Sequence, residues 1–343
     1  MQQKKLRPLW KIRLQNYEFW PFWLFYFPMY FYGFWLAIKA KSFTYFTAAN
    51  PALHFGGLLN TSKSSYLKNV EARFIPCALT VYPKNSFQEI CLGIDQKKMK
   101  YPLVAKPDMG ERGRGVEQIN NVQELERYFG ANRKEVVLLQ EFIGYPLELG
   151  ILYYRTPNGQ SSGITSIVIK EFLKVEGDGK ATLRELISKN TRARFRQAYL
   201  EEKFKNQLDN IFPPQKIFNL EPIGNHNRGT TFLNGNHLIN SKLVQVMDKL
   251  AQPLEGFFYG RFDLKTQSIE DLYRGEHIKI LEINGVNSEP AHIYQPGYSL
   301  AKAYQDIRQH MKIIYHISTE NHKKGIPYAP LLEVLKELRQ HFK

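Results

Sequence analysis

Two tripeptides, Arg261-Phe262-Asp263 and Glu282-Ile283-Asn284, restrict this chain most. Each sits in a strand-like run, Tyr259 to Leu264 and His277 to Ile283. Strand side chains alternate with period two, so Arg261 and Asp263 share one face, as do Glu282 and Asn284. If the two strands are neighbours, three hard oxygen donors and a guanidinium meet on one side of a sheet. Magnesium takes such donors and keeps phosphate oxygens in its remaining positions. The plainer alternative is a surface ion pair between Arg261 and an acid.

Other residues supply what a metal-chelated phosphate needs. Lys106 closes the short apolar run Tyr101-Pro102-Leu103-Val104-Ala105, where it can place a point charge on a phosphate. The loop that follows carries Gly110, Gly113 and Gly115, whose backbone can approach phosphate oxygens closely and whose freedom suits a lid. By itself such a loop is a weak signal, since its glycine order fits no dinucleotide fingerprint, and Gly177-Asp178-Gly179-Lys180 lacks the upstream glycine of a Walker loop. Further on, Gln140-Glu141-Phe142-Ile143 and Glu148 form a strand, a turn at Gly144-Tyr145-Pro146 and a second strand. Backbone groups of Phe142 and Ile143 can pair with an adenine edge, Glu141 with its exocyclic amine, and Glu148 with ribose hydroxyls. A solvent-facing hairpin with two exposed acids is the competing account.

The remaining pattern is α+β. Strands are predicted at Ala78 to Tyr82, Val116 to Ile119, Val136 to Phe142, Glu148 to Tyr154 and Ile164 to Lys174, with helices near Ser86 to Gly93, Val122 to Phe129, Leu183 to Lys189, Arg192 to Asn210, Lys242 to Leu254 and Leu300 to Tyr315. A short helix is also expected near Tyr66 to Glu71. The loop Asn225-His226-Asn227-Arg228-Gly229-Thr230 is dense in hydrogen-bonding groups and suits an acceptor or a phosphate, or a satisfied turn. Cys77 and Cys91 lack zinc-ligand companions and read as reduced thiols; His54, His237 and His310 read as surface residues.

The formal net charge of +15 is uneven: residues 1–70 hold nine Lys/Arg against one acid, Glu18. Within that region Phe19 to Ile38 is charge-free, and twelve of its twenty residues are Phe, Trp or Tyr. Twenty helical residues reach about 30 Å, the thickness of a bilayer's hydrocarbon core. Such rings favour the headgroup boundary, however, and Pro21, Pro28 and Gly33 interrupt a straight helix. A re-entrant or interface-lying segment over residues 17–46 is therefore expected, with a single span left open and packing on the protein's own core as the plainer account. A cleaved signal peptide does not fit a stretch this long and aromatic.

In order and spacing these residues resemble the ATP-grasp superfamily, nearest to D-alanine–D-alanine ligases, with the Gly177 to Thr182 turn more like that of cyanophycin- and glutathione-synthetase-type relatives. The resemblance covers about Ser62 to Pro290. It implies an ATP-grasp fold, two α+β subdomains gripping ATP, here behind an aromatic N-terminal membrane-associating helical segment. By resemblance, Lys106 and Lys63 are phosphate-binding lysines, Glu141 and Glu148 the adenine-hinge and ribose acids, and Asp263, Glu282 and Asn284 ligands of magnesium, with manganese as a substitute. Arg261 resembles the arginine that steadies the reacting carboxyl oxygens, and Lys170 or Lys174 reaches the outer phosphates.

The implied activity is an ADP-forming carboxylate–amine ligase working through an acyl phosphate. Its substrates would be small-molecule or lipid-linked carboxylates and amines, at the cytoplasmic face of the inner or plasma membrane. The expected divisions are a membrane-associating segment at 1–46, a reduced N-terminal lobe at 47–98, a lid subdomain at 99–146 and a catalytic subdomain at 147–343. No nucleic acid partner is expected, and a homodimer is left open. After Asn284 the chain departs from the ligases' Pro-Gly turn, which puts D-alanine specificity in question. The rivals are a kinase on the same fold and a non-catalytic basic nucleic-acid-binding or scaffold protein.

Overall fold

The computed structural model describes residues 7–59, 69–109, 115–132 and 134–341. It is a mixed α/β structure in which two antiparallel sheets carry the chemistry-bearing residues. The smaller has the strand order β1-β4-β2-β3, from β1 (Ala78–Val81), β2 (Leu103–Pro107), β3 (Glu117–Ile119) and β4 (Val137–Glu141). Alternation divides its faces. Leu103, Ala105, Val137 and Leu139 pack with Ile90, Ile94, Leu125 and Phe129 of the helices Phe87–Gln96 and Val122–Ala131. Val104, Lys106, Leu138 and Gln140 therefore line the other face. Both helices start where side-chain chemistry directs: Ser86 and Glu89 form a capping box, and Asn121 accepts the backbone N–H of Glu124.

The larger sheet runs β11-β10-β5-β6-β9, built from β5 (Leu147–Arg155), β6 (Ser162–Glu171), β9 (Thr231–Asn234), β10 (Tyr259–Thr266) and β11 (Ile278–Asn284). Leu149, Ile151, Phe262, Leu264, Ile280 and Ile283 face the helix Ser241–Ala251 and make the largest core. Intervening residues form the opposite face, among them the charged Glu148, Arg261, Asp263, Lys265 and Glu282. A two-stranded ribbon of β7 (Lys174–Glu176) and β8 (Ile217–Asn219) carries a satellite core with the helix Leu183–Lys189.

Some expectations need correction. The small sheet takes in β1 and packs on the helix Phe87–Gln96, both of which precede residue 99. The strand from Ile164 stops at Glu171, and the charged stretch after Arg192 breaks into Thr191–Arg194 and Gln197–Lys203. A C-terminal helix, Leu331–His341, was not foreseen, and the first half of the helix expected over Tyr66 to Glu71, residues 66–68, lies outside the described residues. His310 is buried, its ring accepting or donating at 2.9 Å to the Tyr259 hydroxyl, and burial pushes it down to about 3.

The aromatic segment is not one rod. Its prolines divide it into a turn at Tyr17–Phe19, a single helical turn at Phe22–Phe25 and the helix Phe27–Ala40, with Pro28 in the first turn, where proline is tolerated. Fourteen residues make about 21 Å of helix, short of the roughly 30 Å of a hydrocarbon core. Among the described residues no helix is long and apolar enough to cross a membrane. One face packs inward: Leu36 and Ala37 meet Ile314 and Ile317 of the long helix Leu300–Lys323, and Phe25 lies among Ile293, Ala303 and Ile307. Burying Phe25 there contributes about 2–3 kcal/mol. The other face leaves Trp23, Phe27, Phe31 and Phe34 more than half exposed.

Candidate active site

The charged face of the large sheet is ordered by its register. Arg261, Asp263 and Lys265 follow one another on β10; Asp263 stands opposite Glu282 and Arg261 opposite Asn284 on β11, while Lys265 stands opposite Glu148 on β5. The side chains make a continuous ladder. Arg261 donates to Asp263 from Nη2 at 3.0 Å and Nε at 3.2 Å, and Lys170 Nζ lies 3.0 Å from both Asp263 Oδ1 and Glu148 Oε1. Asn284 Nδ2 donates to Asp263 Oδ2 at 3.2 Å. Lys265 donates to the Ile143 carbonyl at 2.9 Å, lies 3.9 Å from Glu148 Oε2 and sits over the Phe142 ring.

Glycines make the room. A Cβ on Gly150, opposite Asp263, would come within 3.0 Å of Asp263 Oδ1 and 3.1 Å of Arg261 Cδ. One on Gly224 would come within 2.3 Å of Glu148 Oε1, so the loop leading to Asn225–Thr230 lies directly on the Glu148–Lys170 pair.

Lys106 joins the two sheets. From β2 it donates to Gln140 Oε1 at 2.9 Å and to the Leu281 carbonyl of β11 at 3.1 Å. Pairing between β10 and β11 passes from Asp263–Glu282 to Leu264–Ile280, so Leu281 is the extra residue of a β-bulge. Bulges re-aim groups beside functional sites, and this one turns a carbonyl toward the lysine. Gln140 Nε2 is buried with no partner among the described residues, a donor that a ligand acceptor would satisfy.

Electrostatics keeps the ladder charged. Burial opposes ionisation of Asp263, yet Arg261 and Lys170 outweigh it and hold the carboxyl down at about 2. Burial likewise works against the charge on Lys170, but Asp263 and Glu148 prevail and push it up. Lys265 is pushed down by its own burial, with Lys170 adding to the effect and Glu148 opposing it. Among the described residues, four cations (Lys106, Lys170, Lys265, Arg261) and three acids (Glu148, Asp263, Glu282) belong to this part of the two sheets.

A magnesium ion fits the acidic edge. Asp263 stays ionised at neutral pH, Glu282 is its cross-strand partner, and Asn284 adds an amide oxygen, a hard donor set of the kind magnesium selects. Asp263, Glu282 and Asn284 would hold it, supplying neutralisation of phosphate charge.

Other sequence-predicted residues are placed as follows. Glu141 has its carboxylate on the backbone N–H of Cys77 at 3.3 Å, while its own N–H bonds the Cys77 carbonyl. The Phe142 N–H bonds the Pro102 carbonyl at 3.3 Å. Gly115 has φ +69° beside Pro107, a conformation that suits glycine. Lys174 pairs with Glu171 at the surface and does not join the ladder. Lys63, Gly110 and Gly113 lie outside the described residues. Sequence reasoning passed over Lys265, although the alternation that linked Arg261 to Asp263 reaches it in one further step.

No family model matches the chain, and no curated protein matches it. Among solved structures it is similar to the D-alanine–D-alanine ligase of Bacillus anthracis, at 14% identity and TM-score 0.41, over 77% of this chain and 67% of that one. It is similar also to the VanG D-Ala:D-Ser ligase of Enterococcus faecalis, at 12% identity and TM-score 0.42, over 75% and 61%. A bifunctional glutathione synthetase of Pasteurella multocida is similar at 13% identity and TM-score 0.37, over 73% of this chain but 36% of that one. By name these are two ligases and a synthetase, each under 15% identical to this chain.

Proposed function

We propose that this protein is an ATP- and magnesium-dependent ligase joining a carboxylate to an amine through an acyl phosphate. One observation carries the reading: Lys106 of the small sheet bonds the Leu281 carbonyl of β11, the strand that bears Glu282 and Asn284 and pairs with β10 of the Arg261–Asp263–Lys170–Glu148 ladder. Catalysis would be positioning plus charge neutralisation. A carboxylate oxygen attacks the γ-phosphorus as the bond to the β-phosphate oxygen breaks, releasing ADP. The amine nitrogen then attacks the acyl carbon, and the C–O bond to phosphate breaks. Of the two protons lost by an ammonium substrate, one leaves with phosphate and one goes to solvent. Arg261 would orient the carboxyl oxygens, Lys106 and Lys170 would face the phosphates, and Glu148 the ribose. Bound magnesium would supply further phosphate neutralisation.

The reading extends to location. The exposed rings of Trp23, Phe27, Phe31 and Phe34 form an apolar face, with Lys39 and Lys41 at its end. Such a face suits burial at the headgroup boundary of an anionic leaflet, with the cleft on the cytoplasmic side where ATP is made.

Purified protein is incubated with Mg-ATP, hydroxylamine and a pooled cytoplasmic and lipid extract. ADP release with acyl hydroxamate supports the ligase; a stable phosphorylated product with no hydroxamate points to a kinase on the same fold. Flotation on phosphatidylglycerol vesicles tests the location. Unchanged flotation after Trp23, Phe31 and Phe34 are replaced by serine would remove the membrane assignment.

A further inference from the structure

The two strands that carry the acidic edge part company just beyond it. β11 ends at Asn284, whereas β10 starts two residues before Arg261, at Tyr259. Because Arg261 pairs with Asn284, a continued antiparallel ladder would set Tyr259 opposite Val286. The backbone bonds go elsewhere. The Tyr259 N–H and carbonyl bond the side chain of Asn50, at 2.9 and 2.8 Å, and the Val286 N–H bonds the Gly56 carbonyl at 3.1 Å. Asn50 joins the two sides: its Nδ2 also donates to that Gly56 carbonyl at 3.0 Å, and its Oδ1 also accepts from the Phe258 N–H at 2.8 Å. An asparagine side chain has two N–H donors and two acceptor lone pairs, so its capacity is filled. The residue is fully buried. From behind, Asn321 of the helix Leu300–Lys323 donates to the Ala48 carbonyl at 2.8 Å and keeps this segment in place. Gly285 lets the backbones meet, since a Cβ there would come within 2.4 Å of the Gly56 carbonyl oxygen and 2.8 Å of Gly57 Cα.

We infer that Asn50 is a positioning residue for the metal edge, wedging β10 and β11 apart directly after Arg261 and Asn284. This rests on the ligase reading, in which Asp263, Glu282 and Asn284 hold magnesium. Three registered pairs, Arg261–Asn284, Phe262–Ile283 and Asp263–Glu282, stand between the wedge and the Leu281 bulge. So short a ladder takes its geometry from whatever fixes its two ends. Asn284, the last residue of β11, reaches Asp263 Oδ2 through Nδ2 at 3.2 Å, and the backbone that follows it is the part held by Gly56. Magnesium demands near-ideal octahedral geometry, so a small displacement of one donor weakens the whole set. Groups that orient ligands without touching the metal change its affinity by about 10- to 100-fold when they are lost.

The test uses adenosine 5′-(β,γ-imido)triphosphate, titrated calorimetrically into the full chain in magnesium and again in EDTA. The readout is the gain in affinity that magnesium brings, which a purely structural role does not move. Asn50→Asp keeps the two bonds accepted from Phe258 and Tyr259, and it sets an oxygen against the Gly56 and Tyr259 carbonyls where the donor stood. The gain should fall by about 10- to 100-fold, with the affinity in EDTA kept within about 2-fold of wild type. Gly57→Ala brings a methyl to 2.7 Å from Gly285 Cα with Asn50 intact; it should lower the gain in the same way, and it serves if Asn50→Asp does not fold. A folded variant with the wild-type gain, or one that loses equal affinity in both buffers, overturns the positioning role and leaves the ligase reading intact. Wild-type protein that binds the analogue with no gain from magnesium removes the metal edge, and wild-type protein that binds no analogue removes the ligase reading; the role of Asn50 falls with either.

Discussion

Replacing Asp263 with asparagine keeps the shape of the side chain and removes the charge on which Arg261 and Lys170 converge. Holding this carboxyl at about 2 against its ordinary 3.8 corresponds to about 2 kcal/mol of native-state stability. A carboxyl depressed in the fold contributes that stability above its ordinary value and loses it as pH falls through about 2. At neutral pH the variant loses this contribution and leaves two buried cations short of an acid, so a cost of about 3–5 kcal/mol is expected. Lys170→Met should cost a similar amount, because it strands Asp263 and Glu148. The two residues touch at 3.0 Å, so the double variant should cost less than the sum by about 1–3 kcal/mol. Urea denaturation without magnesium, in a double-mutant cycle, measures all three. Additive singles, or Asp263→Asn costing under about 1 kcal/mol, would refute the ladder as a coupled buried unit.

Glu282→Ala should abolish metal-dependent ATP turnover while costing little stability; an ADP-release assay retaining wild-type turnover would reject the metal edge. Gly224→Ala places a methyl against Glu148 Oε1 and should lower both thermal stability and ATP affinity, read by melting with and without Mg-ATP. His310 is held neutral by burial, so the unfolded chain takes up a proton at higher pH than the fold does, and stability should fall as pH drops below about 6.5 toward 3. His310→Gln should flatten that part of a urea-midpoint-versus-pH profile.

Much of this charged sheet face was legible because strands announce their faces: alternation in Arg261-Phe262-Asp263 and Glu282-Ile283-Asn284 fixed which side chains meet once the strands paired. Lys106 was legible as the end of an apolar run. What alternation cannot show is which strand of one sheet approaches the other, so neither the Leu281 bulge nor its bond to Lys106 was foreseeable. His310 misled for a related reason: its burial depends on the Leu300–Lys323 helix crossing Tyr259, a contact set by tertiary packing. The charged stretch after Arg192 carries helix-forming residues throughout, yet it bends where Phe195 stacks on Phe19 at 4.5 Å, a partner 176 positions away in sequence. Propensity within a window has no access to such a partner.

The bulge at Leu281 gives the protein a resting latch. The Lys106 ammonium engaged on that carbonyl already ties the two sheets, and under the proposed function a triphosphate that drew the lysine away would have to break that bond. Nucleotide affinity would then be a net value, intrinsic grip minus unlatching, and weakening the latch would tighten ATP without adding any contact to it.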